Sequence, residues 1–166
     1  MTGGGEETAM LRPIAIATAV SGTLDIFWAM ILTMTVGKGD IPAMLRFVAS
    51  GPFGDAPKEW GAGGAVLGLV VHFTLMAIMA TIFVLVVRGR PSLLGTLWGT
   101  ALAFGLITYF VMNWVVVPLR FGTPLPPKPL SIATQLFAHL VLVGIPFALI
   151  TARTLRPLAI ARPATV

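Results

Sequence analysis

The sequence predicts an all-α polytopic membrane protein whose four transmembrane helices form a bundle, and three observations predict it. Of 166 residues, 57% are apolar and 10% charged, with a mean hydropathy of +0.94, whereas charged residues make up about a quarter of a soluble domain. Four apolar runs, 13–36, 63–87, 92–118 and 131–151, match the roughly 20 residues that cross ~30 Å of hydrocarbon at ~1.5 Å per residue. Charge, glycine or proline punctuates the end of each run.

The elements follow in order. Residues 1–11 are Gly-rich and acidic, read as a flexible tail, and lack the basic start and short apolar stretch of a cleaved signal peptide, so the first helix is expected to be retained. Pro13 suits a first helical turn, where its missing N–H costs nothing. After the first span, Asp40 is a cap and Pro42 an early-turn residue, while Ile41, Met44, Leu45 and Val48 follow helical spacing up to Gly51. A short interfacial helix on the outer membrane surface is therefore expected. The second and third spans form an antiparallel hairpin across Arg88-Gly89-Arg90-Pro91, and Pro118-Leu119-Arg120 is expected to stop the third. The stretch Thr123-Pro124-Leu125-Pro126-Pro127-Lys128-Pro129 is stiff, because proline fixes φ and removes donors, and it is placed as a cap on the outer mouth. Residues 155–166 form a second flexible tail. The whole chain, 1–166, reads as a single membrane domain with no separate catalytic domain.

Small residues at Gly95, Gly99 and Ala103, and at Gly64 and Gly68, form ridges that let a neighbouring backbone come close. No internal repeat of the inverted-transporter kind is visible.

Charge and chemistry exclude several classes. The net charge of +5 comes from Lys and Arg scattered at the ends of apolar runs, as boundary anchors rather than a nucleic-acid patch. Arg12, Arg88, Arg90, Arg153, Arg156 and Arg162 fall on the side of both termini, against Lys38, Arg46, Lys58, Arg120 and Lys128 opposite, which places both termini in the cytoplasm. With no cysteine there is no disulfide, thiolate metal site or cysteine nucleophile. No catalytic triad, phosphate loop or carboxylate pair can be assembled, and Gly3-Gly4-Gly5 lacks phosphate-loop spacing. The chain reads as a non-enzymatic protein.

Five polar side chains in the spans require an explanation, since an ionisable group at membrane depth normally faces the interior and has a partner. Counted from the outer helix ends, Asp25 lies roughly 16 Å deep, His72 roughly 14 Å, Tyr109 roughly 13 Å, His139 roughly 12 Å and Asn113 roughly 7 Å. Four helices thus bring polar groups to nearly one layer. Pro146 shares a face with His139 and deprives the Leu142 carbonyl of its usual donor. A polar pocket in the outer half of the bundle is expected. Four readings of it compete: polar glue between helices; a proton site with Asp25 as the charge and His72 and His139 as relays; haem b held by His72 and His139; and a transition metal held by His72, His139 and Asp25. Met30, Met34, Met76 and Met79 at helical spacing read as core filling rather than copper ligands.

From about residue 68 to residue 152 the chain resembles the YagU-like family of bacterial inner-membrane proteins. The resemblance rests on His72 four residues after Gly68, the Gly95-xxx-Gly99 ridge, Pro118, Thr123-Pro124-Leu125-Pro126-Pro127, and Phe137-Ala138-His139-Leu140-Val141. It implies a helical protein of the bacterial inner membrane, linked in its enteric representative with acid resistance, with His72 and His139 carried over by position. It implies no reaction, ligand or cofactor and does not extend to Asp25. Ala138 stands where the family pattern has glycine.

The sequence therefore favours an integral inner-membrane protein with a buried Asp/His site in a proton- or acid-linked role. The alternatives are a bis-His haem or metal protein in electron transfer, and a structural subunit of a larger membrane complex. The lipid bilayer is the expected partner, with a homo-oligomer or larger assembly as the further partner, and nucleic acid is not one.

Overall fold

The computed structural model describes the backbone of residues 3–160 and the side chains of residues 10–155. Among these every regular element is helical. Helix α1 spans Gly3–Thr35, α2 Ile41–Phe53, and α3 Gly61–Gly89. Helix α4 spans Leu97–Phe121, and α5 opens at Pro129–Phe137 and runs on to Ile145–Ile160. Four stretches, Met10–Thr35, Gly61–Gly89, Leu97–Phe121 and Pro129–Leu155, are long and apolar enough to cross a membrane.

Their outward faces support that reading. Leu24, Phe27 and Ile31 on α1, Val66, Val70, Ile78 and Ile82 on α3, and Leu102, Leu106, Ile107 and Phe110 on α4 are all exposed. Apolar belts of this kind on three long helices would be untenable in water and are what hydrocarbon demands.

The long helices alternate in direction. Arg88 reaches Met10, joining the start of α1 to the end of α3, and Trp28 Nε1 donates to the Thr134 carbonyl at 3.2 Å, joining the far halves of α1 and α5. One end of the molecule, here the near end, therefore carries the start of α1 and the end of α5; the far end carries α2 and the proline-rich connection. The core lies toward the near end, where Ala17, Met76, Ala80, Val87, Ala148 and Ala152 belong to one buried cluster with Phe147. Phe83 meets Phe104 edge-on at 4.8 Å, and Phe147 stands 6.0 and 5.7 Å from the two, spacings at which aromatic quadrupoles attract.

Helix ends follow local chemistry, with some differences from the sequence reading. Asp40 caps α2 by accepting from the Ala43 amide at 2.5 Å, but α2 continues through Gly51 to Phe53 and stops at Gly54, whose φ is +72°. Helix α1 begins at Gly3, so Pro13 is inside it rather than in its first turn; residues 1–2 and 161–166 of the expected tails lie outside the described residues. Pro118 does not stop α4. The helix widens into π turns over Val111–Val116, continues over Val117–Phe121, and ends at Gly122 in the left-handed region. Helix α5 does the same over Ala138–Gly144, ahead of Pro146. Proline cannot donate and crowds the carbonyl four residues back, and a wide turn just before it accommodates both defects.

The glycine contacts correct the expected ridges. A Cβ on Gly99 would meet nothing within 4 Å, and Gly95 and Ala103 are exposed. The close face of α4 is instead Ala101 and Gly105: a Cβ on Gly105 would strike the His139 carbonyl, and one on Gly144 the Ala101 carbonyl. Gly64 and Gly68 do admit a close neighbour, but it is the segment between the first two spans: their added Cβ atoms would collide with the carbonyls of Pro57 and Leu45.

Candidate functional site

The five polar side chains singled out from the sequence fall into two groups. The first joins α1 and α3. Gly22 lacks a side chain where a Cβ would come 2.6 Å from the Phe73 ring, so the two helices approach closely. Phe73 stands edge-on to His72 with ring centroids 5.3 Å apart. His72 Nε2 lies 2.9 Å from the Gly22 carbonyl oxygen, in a buried hydrogen bond. A carbonyl only accepts, so Nε2 carries the proton of that bond. His72 Nδ1 then faces Asp25 Oδ2 at 4.0 Å, with the two side chains 11% and 23% exposed.

That arrangement constrains the protons. With Nε2–H fixed on Gly22, the proton between the two residues resides either on the Asp25 carboxyl, facing a bare Nδ1, or on Nδ1, facing a carboxylate. The 4.0 Å separation is ion-pair distance and exceeds a hydrogen bond.

The second group joins α4 and α5, and both of its contributing π stretches take part: Asn113 lies in Val111–Val116 and His139 in Ala138–Gly144. The Asn113 amide nitrogen donates to the Tyr109 carbonyl at 3.2 Å and faces His139 Nε2 at 3.4 Å. His139 Nδ1 lies 3.2 Å from Thr108 Oγ1, whose hydroxyl reaches the carbonyls of Phe104 and Gly105 at 3.1 and 3.0 Å. The donors run one way: Asn113 to His139 Nε2, His139 Nδ1–H to Thr108, Thr108 O–H to backbone. Every site on the ring is thereby used by an uncharged partner. Trp114 Nε1 donates to Tyr109 Oη at 3.1 Å, and the Tyr109 ring stands 6.1 Å from that of His139.

The structure thus pairs Asp25 with His72 and gathers Tyr109, Asn113 and His139 elsewhere, and among the described residues no hydrogen bond or ion pair joins the two groups. Asp25, His72 and His139 do not come together as a three-ligand metal site among those residues. Haem ligation by His72 would have to use Nδ1, which faces Asp25, since Gly22 holds Nε2–H, and ligation by His139 would require Nε2 to leave Asn113, because a ligating nitrogen must present a free lone pair.

Residues not singled out from the sequence complete both groups. Gly22 supplies the acceptor that orients His72, and Thr108 and Trp114 satisfy His139 and Tyr109. Gly22 carries a usable signal, being three residues from Asp25 on the same helix face. Thr108 carries none, since a helical threonine ordinarily bonds its own backbone. Against protein-family models, curated proteins and solved structures, the chain finds no match.

Proposed function

We propose that the chain is an integral membrane protein whose Asp25–His72 pair takes up and releases one proton within the bilayer. The observation that supports this is the clamp on His72: the Gly22 carbonyl holds Nε2–H at 2.9 Å and turns Nδ1 toward Asp25 Oδ2 at 4.0 Å. Two basic atoms then compete for one proton, and the pair changes net charge when a second is added or the last removed. The contrast with His139 favours chemistry here over polar glue. His139 is locked by uncharged donors and acceptors on both ring nitrogens, whereas Asp25 retains partial exposure and has no partner closer than His72 among the described residues. An acid-stress role in a bacterial inner membrane, with cytoplasmic termini, is part of this proposal and rests on the family resemblance and the arginine distribution.

The test uses a lipid-soluble carbodiimide. It reacts with a protonated carboxyl, the carboxyl oxygen bonding to the carbodiimide carbon while the acid proton passes to nitrogen, so the adduct reports occupancy of Asp25. Intact-mass analysis of the protein in liposomes should show one adduct, absent in Asp25→Asn. Its yield should fall as pH rises, with a midpoint displaced in His72→Gln. An Asp25 that never labels, or a midpoint indifferent to His72, would overturn the proposal.

A further inference from the structure

Many helical hydroxyls in this protein bond the carbonyl one turn back: Thr33 to Ala29, Thr74 to Val70, Thr81 to Ala77, Thr108 to Phe104, Thr134 to Leu130 and Thr154 to Ile150. Such a bond is available to any serine or threonine in a helix. Three buried hydroxyls do not make it. Thr18 Oγ1, Ser21 Oγ and Thr151 Oγ1 are shut off from solvent and have no hydrogen-bond partner among the described residues, and Ser21 and Thr151 are wholly buried. An unpaired hydroxyl in a hydrocarbon environment is costly.

Their positions are related. Thr18, Ser21 and Asp25 are spaced three and four residues apart, hence on one face of α1. Thr151 belongs to α5, which packs on α1 beside Ala17, Ala148 and Ala152. From the Trp28–Thr134 contact and ~1.5 Å per residue, Thr151 lies roughly one to two turns nearer the near end than Thr18. Unpaired hydroxyls thus descend from Asp25 along a seam walled by alanines, toward the end that carries Arg12 and Arg153.

We propose that Thr18, Ser21 and Thr151 form the route by which protons reach the Asp25–His72 pair from the near end. The inference rests on the proton-binding reading of that pair. A hydroxyl accepts a proton on its oxygen and releases its own on the other side, so each transfer conserves atoms and charge, with water entering the seam to span the gap between Thr18 and Thr151. Hydroxyls already bonded to carbonyls would have to break those bonds first; these three have none to break. Among the described residues, no other charge lies between Thr151 and the Asp25–His72 pair. Of the elements packed on α1, α3 offers His72 to Asp25 and carries Arg88 at the near end, where it reaches Met10; α5 carries the uncharged, fully bonded His139 and no charged residue before the exposed Arg153; and α2 carries Arg46, which lies beside Gly64, two turns beyond His72.

The full-length protein in vesicles of a single orientation, with pH set separately on the two sides, tests this through carbodiimide labelling of Asp25. Labelling should follow the pH on the side of the chain termini. After a pH jump on that side, the response should slow by about tenfold or more in Ser21→Ala, Thr18→Val and Thr151→Val, the equivalent of about 1.4 kcal/mol. Thr18→Ser and Thr151→Ser keep the hydroxyl and should respond as wild type, which separates lost relay from damaged packing. Labelling that follows only the opposite side, or is indifferent to the hydroxyl variants, overturns the route and leaves the proton site standing. An Asp25 that labels at no pH on either side overturns both.

Discussion

Arg120, at the end of α4, holds Gly51 near the end of α2: Nε donates to the Gly51 carbonyl at 2.6 Å, while Nη2 of the same guanidinium donates to the Ser50 carbonyl at 2.6 Å. These are last-turn carbonyls that α2 cannot satisfy itself, and a cation at that end also opposes the helix dipole. The guanidinium lies 5.1 Å from the Phe121 ring centre, and Phe121 stacks on Phe47 of α2 at 4.3 Å. Arg120→Ala should therefore destabilise the protein by about 2 kcal/mol in a denaturant titration in detergent. Arg120→Lys should recover only part, since an ammonium cannot fork across two carbonyls. Equal stability of all three would show that α2 is held by its apolar contacts alone.

The same short helix is seated from its other side by glycine. A Cβ on Gly68 would overlap the Leu45 carbonyl, backbone that cannot rotate away, so Gly68→Ala must push α2 off α3 at a cost of about 1–3 kcal/mol. Gly99→Ala, with nothing within 4 Å, should be neutral or stabilise by up to about 1 kcal/mol through helix propensity. Thermal unfolding of the two variants side by side checks the contrast. A destabilising Gly99→Ala would mean that a neighbour occupies that face in the membrane.

Why the two glycine pairs read alike in sequence and differ in structure explains what was legible. Hydropathy and length locate the four spans because lipid imposes one rule on every residue of a span. The cap at Asp40 is local chemistry, and it too was legible. Which face of α4 turns inward is decided by the fit of Ala101 and Gly105 against Gly144, and small residues stand on both faces of that helix, so spacing alone cannot choose. The π turns escaped for a related reason: proline before a helix end and proline after a wide turn have the same sequence. At the site, the polar residue types were visible, but their division into an Asp25–His72 pair and a His139 group depends on helix rotation. The unbonded hydroxyls of Thr18 and Ser21 were invisible, since side-chain rotamer decides whether a helical hydroxyl bonds its own backbone.

Outside the spans, Lys58 Nζ donates to Asp55 Oδ1 at 2.7 Å. That hydrogen bond, and then the charge of Lys58, hold the Asp55 carboxyl below the usual carboxylate range. A depressed folded-state pKa contributes stability above the unfolded value and loses it as pH falls through the folded one, so any contribution disappears only under strongly acidic conditions. Both side chains are well exposed, so solvent screens the pair. Lys58→Ala should return the Asp55 titration upward, as read by carboxyl NMR shifts, with the unfolding midpoint at neutral pH unchanged. An unmoved titration would show that the contact is not kept in solution.

The two histidines should differ in tautomer. Gly22 fixes the proton of His72 on Nε2, whereas Asn113 makes Nε2 of His139 the acceptor and Thr108 takes its proton from Nδ1. Nitrogen-15 spectra of selectively labelled protein at neutral pH should therefore show Nε2–H at His72 and Nδ1–H at His139, assigned by His72→Gln and His139→Gln. Thr108→Val keeps the volume near Gly105 but removes the acceptor, leaving a buried N–H without a partner at a cost of about 1–3 kcal/mol. Thr108→Ser restores the oxygen and should restore most of the stability. The same two variants separate the roles of the groups: because no bond among the described residues joins the His139 cluster to Asp25, Thr108→Val should leave the pH midpoint of Asp25 labelling in place while lowering stability. A midpoint that moves with Thr108 would mean that the two groups titrate as one, and that His139 belongs to the proton site rather than to the framework that holds α4 against α5.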